Sequence, residues 1–559
     1  MVFRRFDRSV EDVVGSHNVE ATPLHDEVYT GPPRPERAGI GERDTGAAAG
    51  RSQWTVAINL AANATFGGDQ NGALNQWQRL QELKEQSRGS SVNLIVQIAE
   101  GESSEKGGDR PGAKTTVTRY LISNGEMRQL SRGQSRGMAG DVEDLLRTAN
   151  SVAPAEHVGL IQQSHAKDVD GVMGSAGRAS LTEFTDAIRA GLQGSGHERL
   201  DLIDFNACSM GSIGVMQRMS GIADHMVASA EAEFSDRRGA YDAQNIRSEL
   251  ARLMQHPQWT GSQLASDTIS QAHAGANDGL NSVTNQPDTG TPTLAHYDLT
   301  RVRDFNAALD ALGSALARSV RGNRDNLAAV NHSIESAPLL PKGGVSIVGC
   351  PPELRDLSTF ARHLIGEIDA GRFTDADNRV RRAAEGLLAT QHLAEPQYHG
   401  TPNGGYDRLG GMNAFLPDLE IRDPSRDAGQ ENPMSGLIQQ VDEHNEYARN
   451  IQKRTSTQRN IASSLDQLRD LFGDAHANEL RTLREGLTAV QNATDAESYV
   501  TALRALSQRV IELSHGSFGT DANTYAHRRT RDEYFNRQAL ANVPGWQQFM
   551  EMLRTSEER

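Results

Sequence analysis

The chain has 559 residues, 37% of them hydrophobic and 23% charged, enough for two or three globular domains. A formal net charge of −16 with scattered Lys and Arg argues against nucleic acid as a partner, and no apolar run is long enough to span a bilayer, so no membrane is expected either. Two cysteines exclude a disulfide framework and fit a reducing cytoplasm, where a thiol stays available.

Residues 1–51 are rich in Gly, Pro, Arg and acids and lack periodicity, which predicts a flexible leader. The first twenty residues carry charge but no apolar h-region, so no signal peptide is expected and the location is expected to be cytoplasmic. WTVAINLAANA, from Trp54, reads as a first buried strand. Leu74, Trp77, Leu80 and Leu83 then fall on one face of a helix. VNLIVQI, from Val92, is a second strand, and Val117 to Ile122 before Asn124-Gly125 predicts an antiparallel hairpin. Asp141 to Ala149 is a helix and His157 to Gln163 a third strand. Ser180 and Glu183 make a capping box for a helix from Leu181. Leu200 to Phe205 is a fourth strand, Ser212 to Ile222 a helix, and Met226 to Ser229 a short fifth strand. Gly239 to His273 is helical in pattern.

Strands alternating with helices imply an α/β fold, a mostly parallel sheet sandwiched by helices. The domain is expected to occupy residues 52–420. Residues 421–434 read as a polar linker. From residue 435 to 559 apolar stripes at helical spacing predict a helical C-terminal domain: Leu465, Leu468 and Phe472, then Leu480, Leu483, Leu487 and Val490, then Val500, Leu503, Leu506 and Val510. Plain packing onto the first domain and a partner-binding or regulatory role are both open to it.

The stretch LDLIDFNACSMG, Leu200 to Gly211, puts Cys208 just past a buried strand. HVGLIQQSHA, from His157, does the same for His165. Open α/β sheets hold their ligands where strands end and helices begin. Two parallel strands delivering a His and a Cys to one edge can make a thiol and base pair.

These blocks resemble those of the clostripain-like cysteine peptidases, within the caspase and haemoglobinase group. LDLIDFNACSMG is similar to the family's block around the nucleophile, and MAGDVEDLLRTANSVAPAEHVGLIQQSHA to the segment leading to the catalytic His. The likeness runs from about Trp54 to Asp242 and more thinly from Thr293 to Pro417. There TPTLAHYDLTRVRDFNAALDAL resembles a returning strand and helix, and GGMNAFLP, from Gly410, the last sheet strand.

The resemblance implies a caspase-like fold and a thiol endopeptidase acting on protein substrates, with Cys208 as nucleophile, His165 as base and acid, and no obligatory third residue. It implies a backbone oxyanion hole made by the N–H groups of Cys208 and Ala166. Most relatives have Gly at that second position, and the Cβ of Ala costs energy if φ is positive. The family prefers Arg or Lys before the scissile bond, which needs a buried carboxylate. The acid two residues before the Cys is here Asn206, which supplies no charge. SAEAEFSDRRGAYD offers Asp236 first and Glu231 second for the basic side-chain pocket, and both acids also suit a solvent-facing role.

DVDGVMGSAGRASLTEF, between His165 and Cys208, is rich in small residues and is expected to be an exposed loop open to proteolysis. Ala-Gly-Arg precedes a small residue at Arg178 and again at Arg51. Both are expected to be processing sites of a zymogen, with an activating protease or a regulatory protein as further partners. No cofactor is required for thiol chemistry; Asp168 and Asp170 are weak calcium candidates. Cys350, beside two prolines, reads as a structural thiol. Two rivals stand beside the peptidase reading: a catalytically silent member acting as a protein-binding or regulatory module, and another thiol hydrolase or transpeptidase.

Overall fold

The computed structural model describes residues 52–61, 80–101, 115–166, 168–174, 176–230, 246–277, 293–340, 354–398, 409–416, 458, 461, 462, 465, 466, 468, 469, 476–514 and 542–557. A nine-stranded sheet forms its centre. Its middle is parallel: β1 (Ser52–Leu60), β2 (Val92–Gly101), β5 (Ala155–Gln163), β9 (Leu200–Asn206) and β10 (Ala223–Ser229), in spatial order β10-β9-β5-β1-β2. These strands are apolar on both faces because helices cover both. Antiparallel strands flank them. On one side β3 (Thr115–Ser123) and β4 (Glu126–Gln134) form the expected hairpin, with Asn124 at φ 47° and Gly125 at φ 79° making its turn. On the other, β11 (Thr293–Asp298) pairs with β10 and with β14 (Ala394–Tyr398). The strand β14, AEPQY, carried no signal in the sequence. It is short, and Pro396 suits only an edge.

One face of the sheet packs against α1 (Gly137–Val152), α2 (Leu181–Leu192), α3 (Ile213–Met219) and α6 (Val302–Val320), in a core that includes Leu145, Phe184, Ile203, Phe205 and Met216. The other packs against α4 (Ile246–Gln255), α5 (Gly261–Asn277) and helical residues 80–86, around Trp54, Val56, Leu202 and Val227. The capping box of α2 is as expected: Ser180 Oγ accepts from the Glu183 N–H at 3.3 Å, and the Glu183 carboxylate accepts from the Ser180 N–H at 2.8 Å.

A row of buried amides crosses the sheet. Arg119 Nε donates to Gln97 Oε1 at 2.7 Å, Gln97 Nε2 to Asn59 Oδ1 at 2.9 Å, and Asn59 Nδ2 to Gln162 Oε1 at 3.0 Å. The row follows cross-strand partners on β3, β2, β1 and β5. It leaves none of the three amides as an uncompensated burial cost.

Two expectations change. GGMNAFLP does not end the main sheet: β15 (Asn413–Phe415) pairs with β13 (Leu354–Asp356), which pairs with β12 (Leu339–Leu340), in a separate sheet. The segment between His165 and α2 is not an irregular loop. There β6 (His165–Ala166), β7 (Val172–Gly174) and β8 (Gly177–Ala179) form a small antiparallel sheet held by the buried Val172 and Ala179. Residues 435–559 divide between two cores. The apolar stripes of α10 (Ala477–Gln491) and α11 (Ala496–Ser514) do form their own cluster with Ile461, Leu465 and Leu468. The last helix, α12 (Pro544–Glu557), instead buries Trp546, Phe549 and Leu553 in the main core against α6. Here α7 (Arg324–Ser336), α8 (Leu357–Asp369) and α9 (Arg379–Leu388) complete the helical side. Among the described residues no helix is long and apolar enough to cross a membrane. The leader and the linker, with Arg51, Cys350, Leu74, Trp77 and Phe472, lie outside the described residues.

Beneath β9, two carboxyl groups meet. Asp204 is fully buried and Glu249 on α4 is 1% exposed. Burial raises Glu249 from 4.5 to about 7, against the opposing pull of its hydrogen bond with Asp204 and of nearby Arg252. Because the folded group holds its proton more tightly than the unfolded one, its contribution is complete at acid pH and is lost as pH rises from 4.5 to about 7. Glu249→Gln, which keeps the shape and never ionises, is therefore expected to flatten the fall in melting temperature between pH 5 and pH 8. Identical slopes for variant and wild type in a thermal-unfolding series would refute this.

Candidate active site

The strands β5 and β9 run parallel and in step, with Gln162 opposite Phe205 and Gln163 opposite Asn206. The ladder goes one residue further, as the Ser164 N–H donates to the Asn206 carbonyl at 3.4 Å. His165 and Cys208 are each the second residue beyond the last pair, on strands that neighbour one another at about 4.8 Å spacing. The topology thus brings both predicted residues to the same rim, at the C-terminal edge of the parallel strands.

Past that point the two branches diverge. The His branch bends into β6, where His165 faces Met173 and Ala166 faces Val172. Ala166 is in extended backbone and is absent from the left-handed residues, so its Cβ carries no conformational cost. The Cys branch enters a tight turn. Cys208 is a half-buried thiol outside any disulfide, and Ser209 after it is left-handed, at φ 58°, which a non-glycine residue adopts only when its surroundings hold it there.

What holds it is Gly211. Its N–H donates to the Ser229 carbonyl at 2.7 Å, at the end of β10. Its carbonyl accepts from Tyr297 Oη at 3.2 Å and from Asn413 Nδ2 at 2.9 Å. The same two donors reach the Gly411 carbonyl at 2.9 and 3.2 Å. A Cβ on Gly211 would meet the Ala230 nitrogen at 2.7 Å and the Ser229 carbonyl carbon at 2.8 Å, so the close approach requires glycine. Ser212 follows. Its hydroxyl accepts from the Val215 N–H at 3.3 Å as the cap of α3 and donates to Asp168 Oδ1. Asp168 is fully buried, in a left-handed conformation at φ 46°.

The remaining predicted residues divide. Asn206 is buried beside Cys208, and its Nδ2 has no hydrogen-bond partner among the described residues. Glu231 and Asp236 lie outside the described residues. Asp170 is buried, and its carbonyl accepts from Arg178 Nη2 at 3.1 Å, with its carboxylate 3.9 Å from the same group. Arg178 itself is exposed on β8. The two calcium candidates are thus engaged by Ser212 and Arg178, and among the described residues no group of three or more His, Cys, Asp or Glu could hold a metal. Tyr297 and Asn413 were not foreseen. Each is far from Cys208 in sequence, and neither type in its local pattern signals a role at this turn.

The sequence of residues 175–415 matches the family model of peptidase C11, the clostripain family. The match covers under half of the chain. The clostripain-family match includes Cys208, Gly211, Tyr297 and Asn413 and begins after His165. It is also similar to solved structures. A secreted C11 cysteine protease from Bacteroides thetaiotaomicron, "iotapain", is 14% identical over 65% of this chain and 93% of that one, with a TM-score of 0.43. An inactive zymogen C11 protease from Parabacteroides distasonis is 10% identical over 66% and 92%, with a TM-score of 0.41. No curated protein matches the chain.

The crowding at Gly211 gives a direct test. Gly211→Ala forces the Cys208 turn away from β10 and is expected to cost about 1–3 kcal/mol, read as a lower urea midpoint with an unchanged slope. An unaltered midpoint would mean that the turn is free to move.

Proposed function

We propose that the chain is a caspase-like endopeptidase of the cytoplasm, made as a zymogen, that cuts proteins after Arg or Lys with a Cys208/His165 dyad. The observation that carries this is the shared register of β5 and β9, which sends both residues to one rim at matching positions. His165 takes the Cys208 proton as sulfur attacks the scissile carbonyl. The oxyanion is held by the N–H groups of Cys208 and Ala166, a contribution of about 10²- to 10³-fold for each donor. His165 then returns the proton to the leaving amine, and water, deprotonated by the same imidazole, releases the acyl group from sulfur. The reaction needs no cofactor. The half-buried position of Cys208 supports it, since a sealed thiol could not meet a peptide.

Basic specificity rests on the family and on Asp236 or Glu231, because Asn206 offers an amide and no charge. A reducing compartment suits a working free thiol. Processing at Arg178 is supported by its place on β8, at the edge of the small sheet and already extended, the form in which peptidases take a chain.

Fluorogenic peptides varying the residue before the cut test the reading. Turnover is expected with Arg and Lys, none with Cys208→Ala, and a fall of about 10²- to 10⁴-fold with His165→Ala. No turnover from wild type, even after deliberate cleavage at Arg178, would favour the silent, protein-binding alternative.

Arg178→Ala is expected to abolish cleavage of the purified chain into two fragments. Fragments of unchanged mass from that variant would place the processing site elsewhere.

A further inference from the structure

Among the described residues, the two branches that leave β5 and β9 share no strand pairing beyond the rim. The last backbone bond between them, from Ser164 to Asn206, is already long at 3.4 Å. One branch then folds into the small sheet and the other into the Cys208 turn. A dyad needs its imidazole and sulfur within hydrogen-bond reach throughout catalysis, and a misplacement of about 1 Å costs about 10²-fold in rate. Something beyond the ladder must set that distance.

Asp168 stands three residues after His165, and Ser212 four after Cys208. The Ser212 hydroxyl donates to Asp168 Oδ1 across the gap between the branches. Both residues are buried, at 0% and 1% exposure, so water does not compete for the bond. A hydroxyl on a carboxylate is a charge-assisted bond, about twice as strong as a neutral one. Ser212 is itself fixed. It caps α3 and bridges to Asn413, whose amide also pins Gly211. The backbone at Asp168 is left-handed, at φ 46°. Asp tolerates this better than most residues, yet it persists only where surrounding contacts insist on it.

We propose, on the dyad reading above, that Asp168 is a positioning residue: by accepting from Ser212 it ties the branch bearing His165 to the turn bearing Cys208 and so sets the separation of imidazole and sulfur. In this role Asp168 acts through Ser212 and the turn that Ser212 closes. Its loss leaves the substrate pocket alone and loosens the dyad. Fewer molecules then hold the sulfur as thiolate near neutral pH, and kcat falls without a matching change in KM.

The test reads the thiol directly in the full-length protein. Alkylation of Cys208 by iodoacetamide is followed from pH 5 to pH 9 by the mass of its peptide, which separates it from Cys350. Wild type is expected to react well below the pH of a free thiol, and His165→Ala to abolish that. Asp168→Ala is expected to move the profile up by about one pH unit and to lower kcat on an Arg peptide about 10²-fold at constant KM. Asp168→Asn retains an acceptor for Ser212 and tolerates the same backbone, so it should restore the wild-type profile. Should Asp168→Ala not fold, Ser212→Ala is expected to give the shifted profile and Ser212→Thr the normal one. A folded Asp168→Ala or Ser212→Ala protein with the wild-type profile overturns the proposal. A wild-type profile that His165→Ala leaves unchanged overturns the dyad itself, a distinct result.

Discussion

Between β5 and β9 the parallel ladder stays in step up to Gln163 and Asn206, and all that is proposed at the rim inherits that register. A slip of one residue would turn His165 or Cys208 to the other face. Hydrophobic burial alone guards weakly against such a slip here. These strands are apolar on both faces, so a shifted strand still buries apolar side chains. The amide row supplies what burial lacks. Asn59 sits between Gln97 and Gln162, and each must meet its neighbour at one level of the sheet. Displacing β5 by one residue would leave fully buried amide groups unpaired, at about 1–3 kcal/mol each. Polar groups in the core thus specify alignment more than they add stability.

The same economy governs the rim. The Cys208 turn has a left-handed Ser209 and leaves its strand for a short helix, neither of which favours a unique conformation. Uniqueness comes from Gly211, whose N–H and carbonyl are both taken and whose missing Cβ lets β10 approach. Tyr297 and Asn413 arrive from β11 and β15, which belong to different sheets. The turn is thus held where the two sheets meet, and the antiparallel edge strands, remote in sequence, act on the thiol's position.

Much of this was readable from local pattern. Buried strands announced themselves as apolar runs, Asn124-Gly125 as a hairpin turn, Ser180 with Glu183 as a cap, and Leu480, Leu483 and Leu487 as a stripe. Each signal is complete within a dozen residues. What escaped was non-local or too short. The strands β7 and β8 have three residues each, and their order comes from Val172 and Ala179 reaching a core assembled by others. The edge strand β14 contains a proline. The bond from Ser212 to Asp168 and the clamp on Gly211 join residues whose types have commoner uses, as cap, loop acid, strand aromatic and loop amide. Only the folded chain brings them together.

The final helix shows the same limit on a larger scale. An apolar stripe does not say which core it will join. The choice is made by close fit. Where α12 crosses α6, a Cβ on Gly313 would meet the Trp546 backbone at 2.4 Å, and one on Gly545 would meet the Asp310 carbonyl oxygen at 2.4 Å. Glycine on both helices lets the backbones approach, and the Gly545 N–H, one of the unpaired donors of a helix start, is taken by Asp310 Oδ1 at 2.7 Å. Trp546 and Phe549 then fill the main core. The helical cluster built on Leu465 to Val510 is therefore not a tail. The described chain lies in the main core before it and rejoins that core with α12.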